Sequence, residues 1–255
     1  MRVGVEQAAF VPFAVATWNL DHARSTVRDP DRIALLQQVA NCDVVVLTET
    51  HDRVRMPGTG WTTVSSAHRP SCPVGERWVS ICTRLPVSCV LPTADPVRTV
   101  AVRISEPRPL VLFGTVMPWH ADRGDRAASE SRPRNWTEHR RVVAQQVNEW
   151  HCLAAQHPDA KLVIADDWNT DLLAGTSDGR SGYGLVRETR LLLDACEELG
   201  LRIPTRGLPA RVRSGSTVEH IAVPAGRWIA QSIEPISRSG SALSDHPPVS
   251  VTAVD

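Results

Sequence analysis

The sequence predicts one α/β domain that takes in residues 1–255. Three features carry this expectation. Apolar runs of strand length interleave with segments of helical periodicity along the whole chain. No Gly/Ser linker, low-complexity tract or charge block divides it. Polar motifs that close apolar runs occur in both the first and the last quarter. Hydrophobic residues make up 42% and charged residues 22%, ordinary values that support a sizeable core and argue against disorder.

The elements follow in order. Phe13 to Leu20 reads as a strand that stops at a polar turn. Asp29-Pro30 supplies an N-cap and a first-turn proline for a helix through about Ala40. Val44 to Leu47 is a short continuous apolar run, suited to a strand buried on both faces, and ends in Thr48-Glu49-Thr50. Trp61 to Ser65, Trp78 to Thr83, Val97 to Ile104 and Leu110 to Met117 read as further strands between Pro-rich turns. Residues 121–134 form a polar loop, after which Asn135 and Glu138 have the spacing of a capping box. The helix that follows places Val143, Val147, Trp150 and Ala154 on one face. Leu162 to Ala165 is another buried strand. A helix over about Val186 to Leu199 has Leu191, Leu192, Ala195 and Leu199 apolar, and Gly200 is placed to end it. Strands near Val218 to Val223 and Val249 to Val254 complete the chain.

Formal net charge is zero, which removes the global basic field of a nucleic-acid-coating protein and leaves room for a local patch. Lys161 is the only lysine, so arginine supplies nearly all positive charge. The six cysteines form no C-x-x-C pair, which supports neither a zinc site nor a disulfide framework. Most are expected to be buried thiols, in a reducing, cytoplasmic setting. Ala8 to Ala16 imitates a signal peptide, but the basic region before it is a single Arg2, Glu6 lies beside it, and Pro12 interrupts it. No apolar run reaches the about 20 residues needed to cross a bilayer. A soluble protein is expected.

Several apolar runs end alike: Trp18-Asn19, Thr48-Glu49, Pro118-Trp119-His120, Asp167-Trp168-Asn169, Val218-Glu219-His220 and Ser244-Asp245-His246. Each alone is explained by the turn preference of such residues. Together they suggest one pocket outside the strand ends of an α/β sheet.

In this order the motifs resemble those of the endonuclease/exonuclease/phosphatase superfamily, the fold of deoxyribonuclease I, the exonuclease-III-like nucleases, neutral sphingomyelinases and inositol polyphosphate 5-phosphatases. Asp167-Trp168-Asn169 is similar to the family's Gly-Asp-x-Asn block, and Ser244-Asp245-His246 to its terminal Ser-Asp-His. The resemblance implies a four-layer α/β sandwich, with two mixed sheets face to face and helices outside. It also implies in-line attack of water on a phosphoester, which needs charge neutralisation at phosphate, an activated water and a stabilised leaving group.

The resemblance distributes those tasks. Glu49 becomes the principal ligand of a magnesium or manganese ion, with Asn19 and Asp245 as ligands or supporting groups. Asp167 orients or deprotonates the water, and Asn169 donates to a phosphoryl oxygen. His246 binds phosphate and aids proton transfer, held by a carboxylate. Glu219 stands where the family normally places that carboxylate's Asp, one methylene longer. His120 sits opposite, near the leaving group or a non-bridging oxygen, and Glu76 is offered as its partner. Asp166 replaces a family glycine, adding charge beside the metal, and Thr48 stands where many members have Gln.

His22, His51, His68, His139, His151 and His157 are read as surface or cap residues. Arginines 123, 126, 132 and 134, and 202, 206, 211 and 213, flank the motifs and suit phosphate contacts, though solvated faces explain them equally. The expected substrate is phosphate-bearing, first of all a nucleic-acid phosphodiester. Hydrolysis of a small-molecule or lipid-headgroup phosphoester is the second reading. A catalytically silent phosphate-binding relative is the third, set against the presence of Asn19, Glu49, His120, Asp167, Asn169, Asp245 and His246.

Overall fold

The computed structural model describes residues 13–69, 72–106, 108–122, 135–174, 182–209, 216–233, 243–244 and 246–254. Continuous β-branched runs in the middle of the chain set the architecture. Val44, Val45, Val46 and Leu47 are all buried, as a strand covered on both faces requires. Period-two alternation sends them to different layers: Val44 and Val46 pack between two sheets, while Val45 and Leu47 pack beneath a helix.

That helix is α1 (Asp29–Val39), lying between β1 (Ala14–Asn19) and β2 (Val44–His51). The strands β3 (Thr62–Ser65), β4 (Glu76–Thr83), β5 (Val87–Leu91), β6 (Thr99–Ile104) and β7 (Leu110–Val116) follow. Then come α2 (Thr137–Gln156), β8 (Lys161–Asp167), α3 (Val186–Glu198), β9 (Leu201–Arg202), β10 (Glu219–Pro224), β11 (Trp228–Ser232) and β12 (Val249–Ala253).

The strands form two six-stranded sheets, ordered β11-β12-β1-β2-β4-β3 and β5-β6-β7-β8-β10-β9. Each is mixed: β1 and β2 are parallel in the first, β7 and β8 in the second, and their other pairings are antiparallel. Val15, Val79 and Val251 meet Val102, Leu112, Val163 and Ile221 in the core between the sheets. Helix α1 covers the outer face of the first sheet through Leu35, Leu36 and Val39. Helices α2 and α3 cover the second through Val143, Trp150, Leu192 and Ala195. The layers run helix, sheet, sheet, helix, the α/β sandwich expected from the sequence.

Gly114 permits the sheets to approach here. A Cβ on it would lie 2.9 Å from Val79 Cγ2 and 3.2 Å from Val46 Cγ1, across the inter-sheet core. At the end of α3, Gly200 has a φ of +66° and its N–H bonds the carbonyl of Glu197, so it terminates the helix as expected.

Several local expectations are corrected. The sequence reading lacks three strands, all at sheet edges: β11 in the first sheet, and β5 and the two-residue β9 at the two edges of the second. Asn135 and Glu138 form no capping box. The N-cap is Trp136, in the left-handed region with a φ of 69° and no side-chain cap, while Glu138 pairs with Arg141. Likewise Arg28, not Asp29, precedes α1, and Asp29 instead binds Arg32 and Arg53. On α2 it is Leu153, rather than Ala154, that extends the buried face, and on α3 Leu191 points outward. Only Cys42, Cys82 and Cys196 are buried. Cys89 and Cys152 are exposed, because one sits on an edge strand and the other on the outer face of α2. Among the described residues no helix is long and apolar enough to cross a membrane.

Candidate active site

The C-terminal ends of the parallel pairs β1/β2 and β7/β8 meet at one end of the sandwich, with the start of β10 beside them. Asn19 closes β1 and makes the contact between sheets. Its amide donates to Asp167 Oδ2 at 3.0 Å, and its oxygen accepts the Asp21 N–H at 2.8 Å. A side-chain hydrogen bond from Asn19 also helps to keep Glu49 ionised. Asn19 therefore turns its nitrogen, not its oxygen, toward the two carboxylates.

Glu49 sits on β2 with a φ of 44°, rare for a residue with a side chain. The β2–β4 ladder pairs Thr48 with Val79 and Thr50 with Arg77 but skips Glu49. This kink aims its carboxylate at His22, whose Nε2 lies 2.9 Å from Glu49 Oε2. Burial disfavours the charged form of Glu49. The His22 hydrogen bond and charge, with Asn19 and His246, outweigh that and hold its carboxyl below the ordinary range.

His22 lies in an unusual turn. Asp21, His22 and Ala23 are successive left-handed residues, with φ values of 46°, 57° and 48°. The ring packs against Trp78, with 5.6 Å between centroids, and Nδ1 is 3.8 Å from Glu76 Oε2. Glu76 itself is buried and bonds Arg24 at 3.0 Å. The expected partnership of Glu76 with His120 is therefore corrected: Glu76 supports the His22 turn. His22 itself was read as a surface residue and is half-buried against Glu49. Only its closeness to Asn19 in sequence could have signalled this.

Asp167 and Glu219 lie side by side, directly paired between antiparallel β8 and β10. Both are buried. Asp167 Oδ1 accepts the Asn169 N–H at 2.9 Å. Burial pushes the Asp167 carboxyl well above the usual carboxylate range, Glu219 and Glu49 add to this, and His246 and the Asn169 N–H oppose it. His246 Nδ1 donates to Glu219 Oε1 at 2.5 Å, so the glutamate stem reaches the imidazole from the strand start. Trp18 Nε1 holds the His246 carbonyl at 3.2 Å, tying the last motif to the first strand. Asn169, in the left-handed region, donates its amide to the Met117 carbonyl at 2.8 Å. Asp245 lies outside the described residues.

Alternation separates the neighbours of these groups from the site. Asp166 does not add charge beside Glu49 as expected. Its side chain points to the opposite face of β8, under the helices, where burial first, then Asp167 and Glu219, push its carboxyl well above the usual range. His220 likewise faces the helical layer. Its Nε2 donates to the Thr170 carbonyl at 2.9 Å and its ring packs edge-on against Trp168. His139 is buried too, donating from Nδ1 to the Pro118 carbonyl at 2.6 Å, so it is neither a surface nor a cap residue.

His120 is exposed, and the ring of Trp119 before it lies 6.2 Å from that of Trp78. Its Nδ1 is 3.3 Å from the Tyr183 hydroxyl, and its ring neighbours those of Trp136 and Tyr183. Arg206 donates to the Leu172 carbonyl at 3.2 Å, a structural contact with the loop after β8. Arginines 123, 126, 132, 134, 211 and 213 lie outside the described residues.

The donor set fits a hard divalent cation. Asp167, Glu219 and His246 each bring one ligating atom within 4.8 Å of the others, and Asn19 links Asp167 to Glu49. A crowd of buried carboxylates with few cationic neighbours gains most from such an ion.

No family model matches the sequence, and no curated protein matches it. Its fold, however, is that of endonuclease/exonuclease/phosphatase proteins. The endonuclease domain of TRAS1, a telomere-specific non-LTR retrotransposon, is similar with a TM-score of 0.61 at 14% identity, over 95% of this chain and 98% of that one. An endonuclease/exonuclease/phosphatase family protein from Bacteroides thetaiotaomicron gives 0.59 at 13% identity, over 95% and 97%. The human Nocturnin catalytic domain with bound sulfate anion gives 0.60 at 12% identity, over 94% and 93%.

Proposed function

We propose that this chain is a divalent-metal-dependent phosphoesterase that hydrolyses nucleic-acid phosphodiester bonds by in-line attack of water. One observation carries the reading: Glu49, Asn19 and Asp167 from three strands of two sheets form one hydrogen-bonded set, beside the Glu219–His246 pair. The fold likeness to an endonuclease domain points the same way, as does the likeness to a catalytic domain that binds the tetrahedral anion sulfate.

In this reading Glu49 is the principal ligand of a magnesium or manganese ion, with Asp245 beside it and Asn19 steering the Glu49 carboxylate. The ion, when bound, neutralises charge on the phosphate. Asp167 orients the attacking water and takes its proton, a task suited to a carboxyl raised by burial and by Glu219. Glu219 fixes the His246 tautomer so that Nε2 faces the phosphate. Asn169 steadies the phosphoryl oxygens, and His120 stands on the leaving-group side.

The test is hydrolysis of single-stranded and duplex DNA, RNA, sphingomyelin, inositol phosphates and bis-p-nitrophenyl phosphate, with magnesium or manganese and with chelator. Cleavage of the nucleic acids should vanish in EDTA and return with metal. Asp167→Asn and His246→Ala should each lower turnover at least ~10²-fold, the usual loss of an acid–base group, while the far-UV spectrum stays unchanged. Full turnover in chelator, or near-native rates in either variant, would overturn the assignment. Turnover of a lipid or inositol phosphoester alone would move the substrate to the second class.

A further inference from the structure

A row of rings leads away from the site. It starts at His22, against Glu49, and passes to Trp78 and then Trp119, at centroid distances of 5.6 and 6.2 Å. His120 continues it, next in the chain, and beyond His120 lie Trp136 and Tyr183, whose rings are 5.3 Å apart. Trp78 is buried and cationic on its flanks, with Arg69 and Arg98 guanidinium groups 4.2 and 4.8 Å from the ring centre. Tyr183, the chain's only tyrosine, is 37% exposed, and His120 is exposed beside it.

This corner is held in place on two sides. Tyr183 N–H donates to Asp171 Oδ2 at 2.8 Å, and the Tyr183 carbonyl accepts the Asp171 N–H at 2.9 Å. Asp171 lies two residues after Asn169 in the loop that closes β8, so the ring is tied to the segment that carries Asp167 and Asn169. Trp136 is held in the left-handed region, with a φ of 69°, and its N–H donates to the His120 carbonyl at 2.8 Å. Below it His139 is fixed to the Pro118 carbonyl. Strain and anchoring of this kind, spent on half-exposed aromatic rings beside a site, point to a ligand that uses the rings.

Resting on the phosphodiesterase reading above, we infer that the Trp136–Tyr183 corner is a stacking subsite for an unpaired nucleobase flanking the phosphate held near His120. A base offers a flat π-face to any aromatic ring, whatever its sequence. A base inside a duplex reaches such a ledge only after leaving its stack. The formal net charge of zero removes the general electrostatic attraction that would otherwise hold a strand, so stacking carries a larger share of the affinity. The preferred substrate is therefore a single strand, an overhang or a frayed end. A mononucleotide diester shares the same chemistry.

The experiment measures binding by fluorescence anisotropy in the Asp167→Asn chain with magnesium, so that slow cleavage does not blur it. Ligands are a labelled single-stranded oligonucleotide, the same strand in a blunt duplex, the same strand made abasic, and a labelled dinucleotide. The single strand should bind at least about 10-fold more tightly than the duplex or the abasic strand, in line with one or two stacked bases. Tyr183→Ala and Trp136→Ala should each weaken single-strand binding about 10-fold and leave abasic binding unchanged. Tyr183→Phe, which keeps the ring, should retain it. In the otherwise wild-type chain, Tyr183→Ala should raise KM for single strands more than it lowers kcat. Dinucleotide binding as tight as the strand would assign the subsite to free nucleotides.

Equal binding of abasic and normal strands, or no effect of either alanine variant, would overturn the inference while leaving metal-dependent hydrolysis standing. Base-dependent binding without hydrolysis of any phosphodiester would instead overturn the catalytic reading and leave the ledge standing.

Discussion

Glu219 and His220 are neighbours on β10, yet one faces the site and the other the helical layer. His220 is fully buried, and burial pulls its pKa down from the ordinary 6.5 to about 3, although its bond to the Thr170 carbonyl acts the other way. The unfolded chain binds a proton near pH 6.5 that the folded chain refuses until about pH 3. The stability His220 contributes as a neutral ring is thus full above pH 6.5 and is lost progressively as pH falls toward 3. By pH 5 the loss is about 2 kcal/mol. His220→Gln retains a donor for Thr170 and removes this proton. Its urea midpoint should sit below that of the native chain at pH 7.5, and the gap should close as pH falls to 5. Parallel declines would show that His220 does not govern the acid limb. The same alternation explains what the sequence concealed. Asp166 next to Asp167, and His220 next to Glu219, look equally chemical when strand-end motifs are read as strings. Assigning faces from the apolar residues upstream, Ile164 to the helices and Ala165 to the other sheet, separates each pair. His22 left no such mark, because its aim depends on three successive left-handed residues that no periodicity encodes.

The elements most legible in the sequence were those buried on both faces. Val44 to Leu47 and Leu162 to Ala165 are continuous apolar runs, and Leu110 to Met117 is broken in polarity only by Thr115, because each lies inside a sheet between two covered faces. The edge strand β5 escaped for the converse reason: Ser88, Cys89 and Val90 are exposed, so only Val87 and Leu91 reach a core. Edge strand β11 also alternates weakly, with Ile229 outward and Trp228 and Ala230 half-buried. Register between the sheets was invisible as well, and it hinges on Gly114. Gly114→Ala places a methyl group 2.9 Å from Val79 Cγ2, closer than packed carbons tolerate. It should cost about 1–3 kcal/mol, as overpacking does. Removing the obstructing methyls should return part of that loss. In a double-mutant cycle by equilibrium urea unfolding, Gly114→Ala with Val79→Ala should therefore cost less than the two single changes added together. Strict additivity would mean that the backbone, not Val79, takes up the strain.

On the scale of the whole molecule, the candidate site is a seam at one end of two sheets whose shared core is aliphatic. Glu49 and Asn19 come from the first sheet, Asp167 and Glu219 from the second, and the Asn19–Asp167 hydrogen bond links the two sets. Carboxylates crowded in a buried seam repel one another, and the raised Asp167 carboxyl is a sign of it. A divalent ion ligated by Glu49 would remove much of that repulsion and tie the two sheets together at this end. Binding to the folded chain alone then stabilises it by mass action, about 2.7 kcal/mol at a hundredfold excess over Kd. For a chain of this size that corresponds to a rise in melting temperature of roughly 5–10 °C. The rise should saturate with magnesium or manganese and disappear with EDTA. Glu49→Gln keeps the shape and removes the ligand charge, so it should abolish most of the rise. Amide hydrogen exchange should slow together at the ends of β1 and β2 and at the adjoining ends of β8 and β10, because an ion in the seam reports to both sheets. Protection gained by only one sheet would place the ion outside the seam. A melting temperature indifferent to metal would remove the basis for Glu49 as its ligand.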